Sequence, residues 1–360
     1  MKTRLIPFLL LLTAAISLQN CSKDTGVTPA FDESKPFSVD ERASTVVVPA
    51  GSHNALQDAI DEAGNNGTVR LAAGTHTEDG TVTIPYRIKL IGDEGAVLIS
   101  DTDPLTVANF QLETAIHVLG AANTIIDNID FQTPGGATGG TAIVVENSAN
   151  VTVKNCSMTH VQFGVLIEQS KNANITKNTI STSTGWQTLD IPAAHGIVVI
   201  NGKNARIEGN EVSNATFGIW CCDENGTYKQ NYTHHNLVGM ILCKVPENGL
   251  IMPDGHLTGA ALSGTNWKCK NNRSQYNFTV GYLVIDGARD NLLEDNEGGS
   301  NGTYDIELTA ETDRFGFWVP ASVHNTAKAG TFPNVTIKDC GIDNTVVGGI
   351  QIDITADPCY

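Results

Sequence analysis

The chain has 360 residues and a formal net charge of −17 at pH 7, from 39 acidic and 22 basic residues. Such a field repels nucleic-acid phosphates and anionic lipid, so neither is expected as a partner. It also disfavours a polyuronate or a sulfated glycan unless a cation such as calcium bridges the two anions. Acidity that only keeps a secreted protein soluble is the simpler interpretation.

The first residues form a targeting pattern. Two basic residues precede an apolar run over residues 5–12, and Leu18-Gln19-Asn20-Cys21 follows. This order is similar to that of a bacterial lipoprotein signal, whose cysteine is acylated and becomes the mature N-terminus. The resemblance implies a signal peptide over residues 1–20, a lipid anchor at Cys21 as the only membrane contact, and an outer-membrane lipoprotein of a Gram-negative cell envelope, facing the periplasm or the surface. Ordinary secretion is the alternative.

A tether and a short helix are predicted next. Residues 21–43 are polar and contain two prolines, as expected of a tether that holds a domain off a membrane. The folded domain is predicted over residues 44–360. Near its start, residues 54–64 predict an amphipathic helix with an Asn cap and a terminal glycine. Such a helix would cap an open sheet edge, which otherwise recruits other chains.

A repeated pattern occupies most of the remaining chain: Ile-x-x-Asn-x-Ile, then Gly-Ile-x-Val. The asparagine position recurs after 22 residues from Cys156 to Asn178 and after 21 residues from Asn210 to Asn231. This period, with short β runs, predicts one turn of a parallel β-helix, in which each repeat stacks on its neighbours. First halves begin at Val153, Ile175, Ile207, Tyr228, Cys269, Leu293 and Ile337, and second halves at Gly164, Gly196, Gly218, Gly239, Gly281 and Gly349.

Asparagine suits the repeated turn because its amide both donates and accepts hydrogen bonds and tolerates left-handed backbone. Stacked at the strand spacing of roughly 4.8 Å, such amides would satisfy one another in a ladder inside the coil. Cys156 and Cys340 are interpreted as small substitutes on this ladder. The glycine before each later strand is interpreted as a residue that permits a positive φ.

Some intervals between ladder positions exceed one turn. An interval of 32 residues after Asn178 predicts an excursion over residues 181–194. Two further intervals, of 41 and 44 residues, are close to two periods. The segments that cause them, 244–265 and 309–333, are either degenerate coils or long loops on one flank, and both alternatives stay open.

The repeats resemble a known family. The segments 67–75 and 88–92 resemble the first coils of the pectin-lyase-like superfamily, and the later repeats resemble its generic repeat. The resemblance implies an all-β, single-stranded right-handed parallel β-helix, or solenoid, of roughly ten to twelve coils. The superfamily holds lyases, epimerases, hydrolases, phage tailspikes and periplasmic metal-handling proteins, so the fold alone implies no activity. The sequence lacks the Gly-His-Gly and Asp-Pro-His signatures of its hydrolases and alginate epimerases.

Residues able to perform chemistry cluster in the irregular segments. A lyase or epimerase needs a base, and a cationic side chain or calcium ion that neutralises the uronate carboxylate. If both segments leave the same corner, they would form the walls of one groove, whereas solvated charges on irregular coils are the alternative. The candidate catalytic residues are Lys244, His256, Arg314 and His324, and the candidate substrate-binding residues are Trp186, Trp220, Trp318, Asp254 and Asp313.

Cysteines and histidines were weighed as cross-links and ligands. Cys222 and Cys243 occupy equivalent places one coil apart, which predicts Cα atoms roughly 4.8 Å apart and a candidate disulfide. Cys340 with Cys359 is a second candidate pair. His160 and the His234-His235 pair suggest a metal, but His160 and His235 lie three coils apart, about 14 Å at the strand spacing, so no metal site is predicted.

The later strand of each repeat is apolar on its outward positions too. Strands apolar on both faces are normally covered on both. The cover would be the chain's own tether or insertions, another subunit, or a sugar stacked on Trp220. The outward column consists of Val144, Leu166, Val198, Trp220, Ile241 and Leu283.

These patterns predict an envelope-anchored protein that handles polysaccharide, and a lyase-like or epimerase-like activity on a uronate-containing glycan is the leading hypothesis. Calcium is the one cofactor considered. A non-catalytic carbohydrate-binding, adhesin-like or copper-delivery-type periplasmic protein is the alternative class. The sequence determines neither the substrate nor the oligomeric state.

Overall fold

The structure is a computed structural model that describes residues 44–100, 104–107, 110–132, 140–182, 194–243, 264–314 and 317–359. Side chains are not described for residues 104–107, 110–113, 312–314 and 317–319. The predicted signal peptide, the tether and Cys21 lie outside these ranges. Within them the chain forms one helix and 34 strands. No helix among the described residues has the length and apolarity that a membrane crossing requires.

The first sheet has twelve parallel strands, one from each successive coil. The middle residue of a typical strand is buried in the interior, and Val153, Ile175 and Ile207 stand in register there. The strands are Thr45–Val48, Thr68–Leu71, Lys89–Gly92, Ile125–Asp127, Thr152–Lys154, Asn174–Thr176, Arg206–Glu208, Thr227–Lys229, Lys268–Lys270, Leu292–Glu294, Thr326–Lys328 and Thr345–Val347.

The second sheet has eight parallel strands, each reached after a sharp corner from the first sheet. Met158, Ile180 and Val212 alternate inward, and the residues on either side face outward. The strands are Gly74–Glu78, Ala96–Ser100, Asp130–Gln132, Ser157–Val161, Thr179–Thr182, Glu211–Ser213, Tyr232–His234 and Arg273–Gln275.

The third sheet has twelve strands and closes each coil. One of them, Pro104–Val107, pairs antiparallel with its neighbour, and a separate antiparallel hairpin joins Thr312–Arg314 to Phe317–Val319. The parallel strands are Val82–Ile84, Phe110–Leu119, Thr141–Glu146, Phe163–Glu168, His195–Lys203, Phe217–Glu224, Val238–Cys243, Tyr282–Ile285, Ile306–Leu308, Thr336–Asp339 and Ile350–Gln351. The three sheets together confirm the predicted right-handed parallel β-helix.

The single described helix spans Leu56–Ala63 and buries its apolar face, as the sequence predicts. The predicted Asn cap is wrong. The backbone N–H groups of Ala55 and Leu56 donate instead to the Glu78 carboxylate, at 3.1 and 2.9 Å. Asn54 is used elsewhere, because its Oδ1 accepts the N–H of Asp79. A carboxylate from the second sheet therefore satisfies orphan donors at the helix start.

Stacked asparagines form the predicted ladder between the first and second sheets. Asn178 Nδ2 donates to Asn210 Oδ1 at 2.9 Å and to the Val153 carbonyl at 3.1 Å. Equivalent amide bonds of 2.9 to 3.0 Å continue through Asn231 and Asn272 to Asn296. Two shorter ladders occupy the other corners, one through Asn236, Asn277 and Asn301 and one through Asn291, Asn325 and Asn344.

The ladder also resolves the long intervals. Because Asn231 bonds directly to Asn272, the 41 residues between them are one coil with an insertion, not two coils. Within segment 309–333, the hairpin is an insertion, whereas the strand Thr326–Lys328 belongs to an ordinary coil. The ladder role predicted for Cys340 is wrong, because the preceding strand lies in the third sheet and Cys340 is bonded to Cys359.

Five of the six repeat glycines of the third sheet are needed for space and not for a positive φ, whereas Gly349, with φ 73°, has the predicted conformation. Gly164, Gly196 and Gly218 do not have a positive φ. A Cβ atom added at Gly196 would lie 2.5 Å from the Gly218 carbonyl oxygen and 2.1 Å from Val212 Cγ1. The same contact recurs at 2.6 Å between Gly164 and the Gly196 carbonyl. Adjacent coils therefore approach too closely for any side chain.

Gly196→Ala is expected to lower the free energy of unfolding by about 2 to 3 kcal/mol, because the new methyl group overlaps backbone that cannot move independently. Urea unfolding followed by circular dichroism measures the loss. The matched control is Gly209→Asn, since Gly209 has φ 67° and its nearest neighbour would be 3.6 Å from a Cβ. A control as destabilised as Gly196→Ala would argue against the steric explanation.

Candidate functional site

The structure locates only part of the predicted catalytic set. Lys244, Asp254, His256 and Trp186 lie outside the described residues. His324 lies at an exposed corner of the solenoid, where its ring nitrogens are 3.8 Å from Asp290 and 3.7 Å from Asp343. The predicted groove between segments 244–265 and 309–333 thus stays a prediction.

Three predicted residues lie together on the antiparallel hairpin that follows strand Ile306–Leu308 of the third sheet. Asp313 stands opposite Trp318 in the antiparallel register, and Arg314 stands opposite Phe317. The backbone therefore places Asp313, Arg314 and Trp318 within one short element. Their roles stay predictions.

Trp220 lies on the outward face of the third sheet, in a cluster of rings. Its ring centroid is 5.3 Å from that of His195 and 5.6 Å from that of Phe217, and both contacts are edge-to-face. Burial lowers the pKa of His195 to about 3, so its imidazole is neutral. Val144, Leu166, Val198 and Ile241 of the same outward column are also buried, whereas Trp220 and Leu283 are partly buried. Trp220 therefore takes part in packing and does not stand free.

The structure joins Cys222 to Cys243 on this same face, with 4.7 Å between their Cα atoms. Trp220 Nε1 lies 3.1 Å from Cys222 Sγ and 3.0 Å from Cys243 Sγ. The cross-link connects adjacent coils, and the indole lies over it. The second pair, Cys340 and Cys359, is also bonded and holds the C-terminal segment against the third sheet.

A group of aromatic rings is exposed on the second sheet, close to where that sheet ends. We call Tyr232, His234, His235, Arg273 and Tyr276 the aromatic face. Tyr232 and His234 stack with centroids 4.4 Å apart, and His235 and Tyr276 stack with centroids 5.7 Å apart. The Arg273 guanidinium lies 4.8 Å from the centre of the Tyr232 ring. The rings thus form a continuous surface across two adjacent coils.

Tyr276 is the most prominent member of the aromatic face. It is 51% exposed and has a left-handed backbone, with φ 55°. This conformation is unfavourable for a bulky residue and suits asparagine or glycine. Asn214 takes the same conformation in the same column, two coils earlier, and His235 one coil earlier. The corner imposes this conformation on successive coils, and at Tyr276 it is taken by a bulky residue whose ring stays exposed.

Polar groups border the rings. Arg273 Nε donates to Gln275 Oε1 at 2.7 Å, and Gln275 Nε2 donates to Glu297 Oε1 at 2.7 Å. On the other side, His234 Nε2 lies 3.1 Å from Glu211 Oε1. Flat apolar rings edged by hydrogen-bonding side chains are a surface that can hold a sugar, because pyranoses offer apolar faces and hydroxyl edges.

In the sequence His234 and His235 suggested only metal ligands, and the tyrosines beside them were not predicted as site residues. Their positions relative to the ladder could have indicated that both tyrosines lie on or just after the second sheet. Tyr232 follows Asn231 by one residue, and Tyr276 follows Asn272 by four. Among the described residues, no three His, Cys, Asp or Glu side chains are grouped so as to hold a metal ion.

The fold defines the class of this chain: it is a right-handed parallel β-helix protein. A family model described as the periplasmic copper-binding protein NosD matches residues 77–253. No curated protein matches the sequence.

Solved structures with the same fold include PfbA, a surface protein and adhesin of Streptococcus pneumoniae, with 14% identity, a TM-score of 0.58, and coverage of 84% of this chain and 95% of that one. The Dettilon tailspike protein has 15% identity, a TM-score of 0.56, and coverage of 85% and 68%. DFA-IIIase from Arthrobacter chlorophenolicus A6 has 12% identity, a TM-score of 0.54, and coverage of 81% and 83%. At these identities the likeness concerns the fold alone.

Proposed function

We propose that this chain is a glycan-binding β-helix protein of a bacterial cell envelope, and that the aromatic face is where the polysaccharide binds. The observation that carries this proposal is Tyr276, a half-exposed ring held in a conformation that costs stability. His235 stacks beneath it, so the ring has a fixed orientation before any ligand arrives. Rings that are fixed in advance lose little conformational entropy on binding.

Tyr276→Asn is expected to reduce glycan affinity at least roughly tenfold while leaving stability unchanged or slightly higher, because asparagine accepts a positive φ better than tyrosine does. Retardation of the full-length protein in gels that contain dissolved polysaccharides measures the affinity, and thermal unfolding measures stability. The control is Leu119→Ala, which removes a side chain that is 41% exposed on the third sheet.

Two outcomes would contradict the proposal. In the first, Tyr276→Asn binds glycans as the unmodified protein does. In the second, both Tyr276→Asn and Leu119→Ala lose binding equally, which would indicate a general effect of surface substitution. If Leu119→Ala retains glycan binding and Tyr276→Asn loses it, the result supports the assignment of the aromatic face as the binding site.

The cell-envelope location rests on the lipoprotein-like signal over residues 1–20 and on Cys21. The periplasmic description of the family whose model matches residues 77–253 supports the same compartment. Incorporation of a labelled acyl chain that Cys21→Ser removes would test the anchor, and unchanged labelling in that variant would refute it. With Cys21 acylated, the tether over residues 21–43 would hold the solenoid off the membrane.

Catalysis is a separate proposal, and it rests on residues other than the aromatic face. Lyase-type cleavage of a uronate polymer, with Lys244 or Arg314 as the functional group, would raise the ultraviolet absorbance of the product. Calcium would serve there as the bridge between two anions. Binding without any such rise identifies a non-catalytic, adhesin-like protein.

The copper-delivery alternative is favoured by the family match alone. If it holds, the protein should co-purify with copper and lose the metal when His234 and His235 are replaced. Because His235 supports the Tyr276 ring, the same replacement should weaken glycan binding too, so Tyr276→Asn, which keeps both histidines, is the variant that separates the two functions: it should lose glycan and retain copper. Absence of copper in the purified protein would leave the glycan proposal as the better account.

A further inference from the structure

We propose that the aromatic face selects an uncharged polysaccharide over a polyuronate or sulfated one; this inference rests on the proposed glycan-binding function. The charges around the rings carry the argument. The face has one permanent cation, Arg273, and two bordering carboxylates, Glu211 and Glu297. These three groups leave the local charge negative, as is the net charge of the whole chain.

Arg273 is already engaged. Its Nε donates to Gln275 Oε1, its guanidinium lies 3.6 Å from Glu297 Oε2, and its plane covers Tyr232. Both polar contacts are made by Nε, so an incoming carboxylate or sulfate would pair with the terminal Nη groups beside Glu297, whose carboxylate would repel it. The charge of the one cation of the aromatic face is therefore opposed by Glu297, and its guanidinium supports the Tyr232 ring.

The bordering carboxylates suit a neutral sugar. Each carboxylate offers about four lone-pair sites, so the single bond that Glu297 accepts from Gln275 leaves capacity for hydroxyl donors. Hydroxyl-to-carboxylate hydrogen bonds are short and strong because the acceptor is charged. A uronate would instead bring its own carboxylate towards Glu297 and Glu211, where like charges repel without a bridging cation.

The test uses polymers that share a backbone and differ in charge. Polygalacturonate is compared with its full methyl ester, and carboxymethylcellulose with hydroxyethylcellulose; mannan is added as a further neutral polymer. The full-length protein is run through gels that contain each polymer at low salt, with a chelator present to remove calcium. Retardation by at least one neutral polymer, roughly tenfold stronger than by the charged polymers and lost in Tyr276→Asn, is the expected result.

The remaining outcomes separate the inference from the function. If charged polymers retard the protein as strongly as neutral ones, or more, and Arg273→Gln removes that retardation, the selectivity is refuted while glycan binding stands. If no polymer of either kind gives a retardation that depends on Tyr276, the proposed function fails and the selectivity falls with it. Retardation by charged polymers only when calcium replaces the chelator supports the inference, because it requires the bridging ion.

Discussion

Asn210→Ala is expected to lower the free energy of unfolding by about 3 to 5 kcal/mol. Asn210 is 1% exposed, and its side chain takes part in four hydrogen bonds of the ladder. Its Oδ1 accepts from the N–H and the Nδ2 of Asn178, and its Nδ2 donates to the Ile175 carbonyl and to Asn231 Oδ1. Alanine would remove all four bonds: the Asn178 N–H and the Ile175 carbonyl lose these partners, whereas Asn178 Nδ2 and Asn231 Oδ1 each keep one bond, to the Val153 carbonyl and from the residue 210 N–H.

Urea unfolding followed by circular dichroism checks this expectation. Asn172→Gly is the matched control, because Asn172 lies in an exposed amide row, where it donates to Asn150 Oδ1 at 2.9 Å and has φ 55°. Glycine keeps that backbone conformation, and water replaces the lost bonds, so a loss below about 1 kcal/mol is expected. Equal losses in the two variants would mean that burial of the ladder contributes nothing.

Asp223→Asn is expected to gain stability relative to the unmodified protein as pH rises. Asp223 is fully buried, and among the described residues its Oδ2 has no hydrogen-bond partner. Burial is the main reason that the pKa of this carboxyl is raised from 3.8 to about 7. A raised pKa means that the folded chain holds the proton more tightly than the unfolded chain does.

The sign follows directly. Below pH 3.8 both states are protonated, and the stability due to the bound proton is fully present; between 3.8 and about 7 the unfolded carboxyl ionises first, so this stability is lost. The uncharged amide of Asn does not titrate. Its advantage over aspartate should therefore grow across this range and level off above it, at about 2 to 4 kcal/mol.

Unfolding midpoints in urea from pH 2 to 8 would measure this trend. Asp353→Asn is the control with the opposite sign, because hydrogen bonds from Thr355 lower the pKa of that exposed carboxyl. The stability that ionised Asp353 contributes is lost as pH falls. Asp353→Asn should therefore be less stable than the unmodified protein at neutral pH and equally stable in acid. A difference between Asp223→Asn and the unmodified protein that is constant with pH would show that Asp223 is not titrating in this range.

The repeat and its register could be predicted because the residues directly before each ladder asparagine explain why an amide is needed there. Asn178, Asn210 and Asn231 follow a buried β residue by three positions, and an amide at that corner can bond only to the coil above or below it. The same regularity predicted the Cys222–Cys243 neighbourhood. Local periodicity therefore determined the architecture without any long-range information.

The aromatic face could not be predicted in the same way, because its parts meet across an insertion. His235 and Tyr276 are 41 residues apart in the chain yet stack on adjacent coils. Pattern counting found this interval close to two periods and left open whether it held an extra coil or a loop, so it could not identify His235 and Tyr276 as neighbours. The reason for the third-sheet glycines was missed for a related cause, since the close approach at Gly196 involves the carbonyl of the next coil and not the residue itself.

The direct bond between successive ladder amides keeps the coils at a regular spacing along the solenoid axis. Side chains in one column differ in height by whole multiples of the strand spacing, roughly 4.8 Å, and keep the same orientation. Removing residues 211–231, one turn between two equivalent asparagines, would shorten the solenoid by one coil. Asn210 would then lie next to Asn272, the present partner of Asn231. Contacts made by such a column can thus be matched to the pitch of a long polymer by adding or deleting turns, without altering the chemistry of any one of them.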